Sequence, residues 1–346
     1  MRYLTFLLLT LFLHACGPES GDSLSVISAQ LAVRDTFGLK GKELLVLKKA
    51  DQVSDLGQVG SFESIIEWNG NVLQSPWIKV RAGKQQGWTL AALLKPKDAG
   101  HAEWLQTKRL QCYFGPVVTG IRKAWLDQAP SVQTDAEMAT HYRQAMALRD
   151  TLMTLLARRA ETSESGTRLN YDWMRNLLPG FIAQKVPGQS NPYLFADYNY
   201  WLKLAAQTSG AQDDLFFETC TTLFPFDKIE SSFPVWTFQL DDNQSASQLG
   251  SGNHLKVLAD LEKKLPETEL FRKETLRIKD AVIEDIVGNK VGYWQPGEKI
   301  LTELKEIETY SFTSLTDLDR MAISARTTMF EDPAANGVRV NLRSGL

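Results

Sequence analysis

Apolar and polar positions alternate in short runs through the first hundred residues. Leu31 and Val33 flank Ala32, and Trp77-Ile78-Lys79-Val80 alternates again, with turn signals at Gly41-Lys42, Asn69-Gly70 and Gly83-Lys84. Lys48-Lys49-Ala50-Asp51 reads as a further turn. Period-two runs punctuated by such residues predict a small antiparallel meander or barrel. From about Asp98 the texture changes. Met138, Tyr142, Ala145, Leu148, Leu152 and Leu156 recur at helical spacing behind Thr134 and Glu137, which predicts a capped helix running to about Ala160. Arg158 and Arg159 suit its C-terminal dipole. A loop is predicted over 161–166. Further helices are predicted over 170–184, with Pro179-Gly180 as an interruption, over 192–208, and from Asp213-Asp214 to Phe224-Pro225. The aromatics between Tyr171 and Trp236 read as core. Trp236 to Leu240 alternates as a strand. A glycine-bearing stretch, Gln248 to His254, then opens a helix carried by Leu255, Leu258, Leu261 and Leu265, with Ser251 or Asn253 as its cap. The apolar positions of Thr275–Val291 fit strand pieces around Gly288-Asn289. A late helix is predicted to run to Met329 with Ser314 as its cap.

The N-terminus breaks this pattern. Arg2 precedes an apolar run from Tyr3 to Leu13 that is too short to span a bilayer. It has the layout of a secretory signal. The residues that follow, Leu13-His14-Ala15-Cys16, resemble the lipobox of bacterial lipoproteins, with His14 as the departure. That resemblance implies a signal peptide over 1–15, lipid attachment at Cys16 and a tether over 16–23. It implies an exported lipoprotein, anchored to a membrane on its periplasmic or cell-surface side. An ordinary cleaved signal with a chance cysteine is the alternative. The composition of the 346-residue chain is that of a globular protein, with 43 % hydrophobic and 23 % charged residues. A net charge of −3 argues against general nucleic-acid binding. The other cysteines, Cys112 and Cys220, are a candidate disulfide in an exported compartment, or else buried thiols.

Residues 24–97 resemble the bacterial SH3-type (SH3b) domains. The resemblance rests on Leu31, Val33 and Arg34, then Trp77, Lys79 and Val80, then Gly87-Trp88, and finally Leu93 and Leu94. Ala50 stands where a turn glycine is usual, and an insert over 58–71 lengthens one loop. The resemblance implies a multidomain chain: a small all-β SH3-like barrel followed over 98–346 by a larger helix-rich domain, mainly α or α+β. Its implied ligand is peptidoglycan or a protein of the cell envelope. Trp88 reads as core, while Trp68 and Trp77 are candidate ligand-stacking residues. Arg34 is expected to pair with Asp35 or Asp51, and Gly87 to form a tight turn.

Catalytic chemistry leaves no motif. His101, His141 and His254 are scattered, and neither His-Glu-x-x-His nor Gly-x-Ser-x-Gly occurs. The surroundings of Cys112 and Cys220 do not match a cysteine amidase. The Gly250–Gly252 loop lacks the lysine and spacing of a phosphate-binding P-loop. Asp241-Asp242 and Glu284-Asp285 are carboxylates without an evident partner. No metal or organic cofactor is signalled. The sequence therefore favours a non-catalytic binding protein of the cell envelope. A cell-wall hydrolase of unfamiliar type and a protein-only scaffold are the alternatives.

Overall fold

The computed structural model describes residues 22–159, 164, 166–186, 191–225, 233–241, 244–288 and 292–344. The signal segment, Cys16 and most of the tether lie outside the described residues, as do most of the predicted 161–166 loop, Asp242 and Asn289. The chain divides into two compact units: Met1–Lys123 with Thr154–Trp173, and Ala124–Met153 with Met174–Leu346. Among the described residues no helix is long and apolar enough to cross a membrane.

The first unit is built on seven antiparallel strands: β1 (Ser23–Val26), β2 (Gln30–Arg34), β3 (Glu43–Lys48), β4 (Gln52–Trp68), β5 (Asn71–Ala82), β6 (Gln85–Leu90) and β7 (Leu94–Pro96). Their order is β3-β2-β6-β5-β4-β1-β7. The sheet thus ends at β3 and β7, and the closed barrel expected from the sequence is not seen in this pairing. Leu31, Val33, Trp77, Ile78, Val80 and Leu94 share one core, each at most 3 % exposed. Alternation accounts for Leu31 with Val33 and for Ile78 with Val80, whereas Trp77, next to Ile78, is buried from the other face of β5. The 58–71 insert is not a loop. It extends β4 and β5 into a long hairpin whose turn is Asn69-Gly70, with φ of 49° and 74°. Two positive φ values are what a type I′ turn requires. Gly87 lies inside β6 rather than in a turn. A Cβ there would come within 2.5 Å of the Arg34 carbonyl oxygen, so glycine admits the close approach of β2. Among the described residues Arg34 pairs with neither Asp35 nor Asp51; its guanidinium donates to the Gly41 carbonyl at 2.7 Å.

Helix α1 (His101–Gln128) begins in this unit and kinks at Gly115-Pro116, where Gly115 has φ 76°. Proline has no N–H to give the Cys112 carbonyl four residues back. Arg159 supplies that donor: its guanidinium bonds the carbonyls of Cys112 at 2.7 Å and Tyr113 at 2.9 Å.

The second unit holds helix α2 (Asp135–Ala157) as far as Met153, followed by the hairpin of β8 (Phe181–Lys185) and β9 (Pro192–Ala196). Helices α3 (Tyr198–Ala205) and α4 (Gln212–Leu223) come next, then a second hairpin, β10 (Thr237–Asp241) and β11 (Gln244–Ser247). Four helices complete it: α5 (Asn253–Lys264), α6 (Arg272–Val287), α7 (Gly297–Thr309) and α8 (Asp317–Met329). The predicted capping box of α2 forms, with Glu137 N–H donating to Thr134 Oγ1 at 3.2 Å and Thr134 N–H to the Glu137 carboxylate at 3.1 Å. Trp201, Phe217 and Phe271, all buried, cluster around Tyr142 as an aromatic core.

Three predicted elements change. The 170–184 helix is replaced by a 3-10 turn over Asp172–Asn176 and by β8. Gly180 between them has φ 79° and takes the Trp201 ring where a side chain would stand. The 192–208 helix starts only at Tyr198, because Asp197 caps it there by accepting the Tyr200 N–H at 3.1 Å. Thr275–Val287 is helix, not strand: Ile278, Val282 and Ile286 are buried four apart. The cap of α8 is Thr316 in a capping box with Asp319, and not Ser314. Ser314 and Thr313 instead bind Glu262. Burial alone would raise that carboxyl, but their donors outweigh it and bring its pKa down to about 2.

Ala50 adopts φ 73°, a left-handed backbone that costs an L-residue with a Cβ about 1 kcal/mol. Ala50→Gly is therefore expected to stabilise the sheet unit by about that amount in urea unfolding followed by tryptophan fluorescence. A loss of stability would mean that the turn is not strained at Ala50.

Candidate functional site

Of the two candidate stacking residues, Trp77 is core. It is 1 % exposed, and its indole N–H donates to Ser64 Oγ at 2.8 Å, so it can hold no ligand. Trp68 is half-buried at the end of β4 and packs against the same core. Trp88, expected in the core, is half-buried instead, with its ring edge-on to Phe37 at 5.0 Å. Phe37 also meets Phe62 at 5.3 Å. Phe37, Phe62 and Trp88 thus form a continuous, partly buried aromatic cluster that packs against the core with its outer edge open. The outward register of Trp88 beside inward Gly87 and Thr89 was the signal that could have found it.

Beside this face lies a seat for a carboxylate. The Leu39 N–H donates to both Glu164 carboxylate oxygens, at 3.1 and 3.2 Å, and the Ser64 hydroxyl donates to it at 2.6 Å. Phe62 borders the seat, with its ring tip 3.4 Å from the position of a Gly38 Cβ. The arrangement can hold an apolar or ring-bearing group on the aromatic face with an anion at its rim.

Elsewhere the polar clusters are internally closed. Glu63 is 1 % exposed and accepts from Arg109 Nε at 3.0 Å, Tyr113 OH at 2.9 Å and the Gln74 amide. Burial, then the Glu63 charge, raises the Tyr113 pKa. Asp285, which looked unpartnered in the sequence, meets a serine and a histidine: His254 Nε2 at 2.7 Å and Ser247 Oγ at 2.5 Å. This trio lacks the geometry of a nucleophilic relay. There the carboxylate and the serine hold opposite ring nitrogens. Here both gather at Nε2, Nδ1 is buried without a partner, and Ser247 and His254 are at most 1 % exposed.

The glycine loop before α5 is likewise closed. Gly252 stands at the helix N-terminus with φ 84° and no side-chain cap, so neither Ser251 nor Asn253 does the expected work. The Glu303 carboxylate of α7 does it, accepting N–H groups of Gly250 at 2.5 Å, Gly252 at 3.0 Å and Leu255 at 3.0 Å. Loop and helix dipole do make an anion site, and the chain fills it with its own anion.

Cys112 and Cys220, for which the sequence left a bridge and buried thiols both open, are free buried thiols. Burial, reinforced by the Glu63 charge, pushes the Cys112 pKa up to about 12, and burial raises that of Cys220. Neither has the thiolate character that nucleophilic chemistry needs. His141 stacks on Trp125 at 4.5 Å, and burial lowers its pKa. Among the described residues no group of three or more His, Cys, Asp or Glu could hold a metal ion. No family model matches the chain, and no curated protein or solved structure matches it either.

Glu303→Ala would leave three N–H groups facing a buried gap. It is expected to cost about 2–4 kcal/mol in urea unfolding, with partial recovery in added acetate. A loss below about 1 kcal/mol would show that water serves these donors as well as Glu303 does.

Proposed function

We propose that the chain is an exported, membrane-anchored lipoprotein whose N-terminal sheet is an SH3b-type binding module. On this reading it is a non-catalytic protein of the cell envelope that holds peptidoglycan through its peptide stems. One observation carries the ligand assignment: the Phe37–Phe62–Trp88 face lies beside a seat that accepts a carboxylate. Peptide stems present carboxylates beside sugar rings, and both can be met by such a surface. The module assignment has separate support. The inward positions of the SH3b pattern share one core, and Ala50 takes the left-handed conformation for which the pattern carries glycine. On this reading the open ends of the sheet at β3 and β7 are a departure from the closed SH3b barrel. The buried carboxylates Asp55, Glu63, Asp213, Glu274 and Glu303 are each held by groups of the chain itself. That favours binding over carboxylate-driven hydrolysis.

Two experiments test the reading. A Cys16→Ala protein should pellet with purified peptidoglycan sacculi, and adding Trp88→Ala should weaken that binding by about tenfold or more at an unchanged melting temperature. Undiminished pelleting by the double variant would remove the aromatic face, and no pelleting by either would remove the ligand class. In bacterial fractionation the unaltered chain should travel with membranes and Cys16→Ala should be released. A Cys16→Ala variant still sedimenting with membranes would overturn the anchor.

A further inference from the structure

The second unit contains an open groove of about 1370 Å³ with two chemically different walls. One wall is uncharged and largely apolar: Leu223, Phe238 and Leu240 line it, and Tyr310 closes it. Phe238 and Tyr310 are 39 % and 43 % exposed, unusual for large aromatics. Both are held in place from behind, Phe238 by stacking on Trp294 at 4.4 Å and Tyr310 by Phe312 at 4.3 Å. The other wall is a face of α5 bearing Lys256, Lys263 and Lys264. Asp260 neutralises Lys264 at 2.8 Å, while Lys256 and Lys263 have no carboxylate partner among the described residues.

An apolar wall facing two unneutralised ammonium groups is complementary to an amphiphile of the opposite charge. An acyl chain laid on Phe238, Leu240 and Tyr310 would bury apolar area on both sides, which favours binding. Lysine ammonium groups on flexible stems can reach an anion at the chain's end. Among the described residues the facing wall carries no charge, so the complement has a single anionic end and not charges along its length. A phosphate site with no apolar need would leave the exposed aromatics without a role.

We propose that this groove binds a long-chain fatty acid, its acyl chain against β10 and Tyr310 and its carboxylate on Lys256 and Lys263. The inference is independent of the wall-binding reading, since it concerns a different unit and a different ligand. The test uses the full chain as Cys16→Ala, so that no lipid attached at Cys16 can enter the groove. Cis-parinaric acid, a fluorescent fatty acid, is titrated into it. Its fluorescence is expected to rise to saturation. Palmitate should displace it, and hexadecanol, the same chain without the charge, should do so about tenfold less well. A Lys256→Glu/Lys263→Glu variant changes two exposed side chains and should bind about tenfold more weakly with its melting temperature retained. Ala259→Trp, which fills the groove, should weaken the probe without touching a lysine. The proposal is overturned by an absent signal, by equal displacement with hexadecanol, or by undiminished binding in both variants. Displacement by lysophosphatidylglycerol but not palmitate would also overturn it, in favour of a phospholipid headgroup.

Discussion

A carboxylate taken out of water must be met by donors, and in each unit of this chain one such carboxylate fixes the surrounding architecture. In the first unit it is Glu63. Its donors come from β5 (Gln74) and from α1 (Arg109 and Tyr113), so the helix can pack on the β4–β5 hairpin in only one register. The Lys108–Asp55 pair at 2.5 Å, one residue before Arg109, closes the adjoining part of the same seam. Removing one member of such a group strands a charge, which costs far more than the pair contributes net. In the second unit Glu303 plays the corresponding part, tying α7 to the loop and helix start at Gly250–Leu255.

This constraint explains why residues with a chemical reputation prove inert here. Ser247, His254 and Asp285 share one buried contact point instead of forming a chain of three. The glycine loop offers three N–H groups to an anion and finds one on α7. Cys112 sits where burial and Glu63 both oppose the thiolate. In each case the residue types match a reaction and the geometry matches a packing problem.

How much of this was legible depends on the range of the deciding interaction. The strands of the first unit were readable because alternation and turn chemistry act within a few residues. Asn69-Gly70 and the Thr134–Glu137 box formed as their local chemistry dictates. The helical stretch at 170–184 failed because Gly180 is set by Trp201, twenty-one residues on, whose indole N–H bonds its carbonyl at 2.9 Å. α6 was misread because Gly288-Asn289 resembles a hairpin turn, although Ile278, Val282 and Ile286 already carried the helical period. The exchange of roles between Trp77 and Trp88 has a simple cause. Both lie on the same face of the β5–β6 pair, since Trp77 pairs with Leu90 and Lys79 with Trp88, so alternation cannot tell them apart and only what packs over each ring decides its burial. The partners of Glu63, Glu303 and Asp285 are 11 to 53 residues away in sequence and left no local trace.

Among the described residues, the Glu303 and Glu164 carboxylates occupy seats that differ in a way that bears on which could serve a ligand. The Glu303 seat is buried, with the side chain 3 % exposed, so emptying it would strand N–H groups away from water. The Glu164 seat is open on one side: Glu164 is exposed and Leu39 is 38 % exposed, while the Ser64 hydroxyl at its inner end is buried. There the Glu164 carboxylate can leave for water at little cost, because an exposed charge loses little by exchanging a protein donor for solvent. An incoming carboxylate would then meet the Leu39 N–H and the Ser64 hydroxyl already oriented, and only its apolar remainder on Phe37, Phe62 and Trp88 has to supply the preference over Glu164. If the proposed ligand binds there, selectivity would come from the aromatic cluster and not from the anion, so Trp88 is the ring whose loss the proposal predicts to matter most.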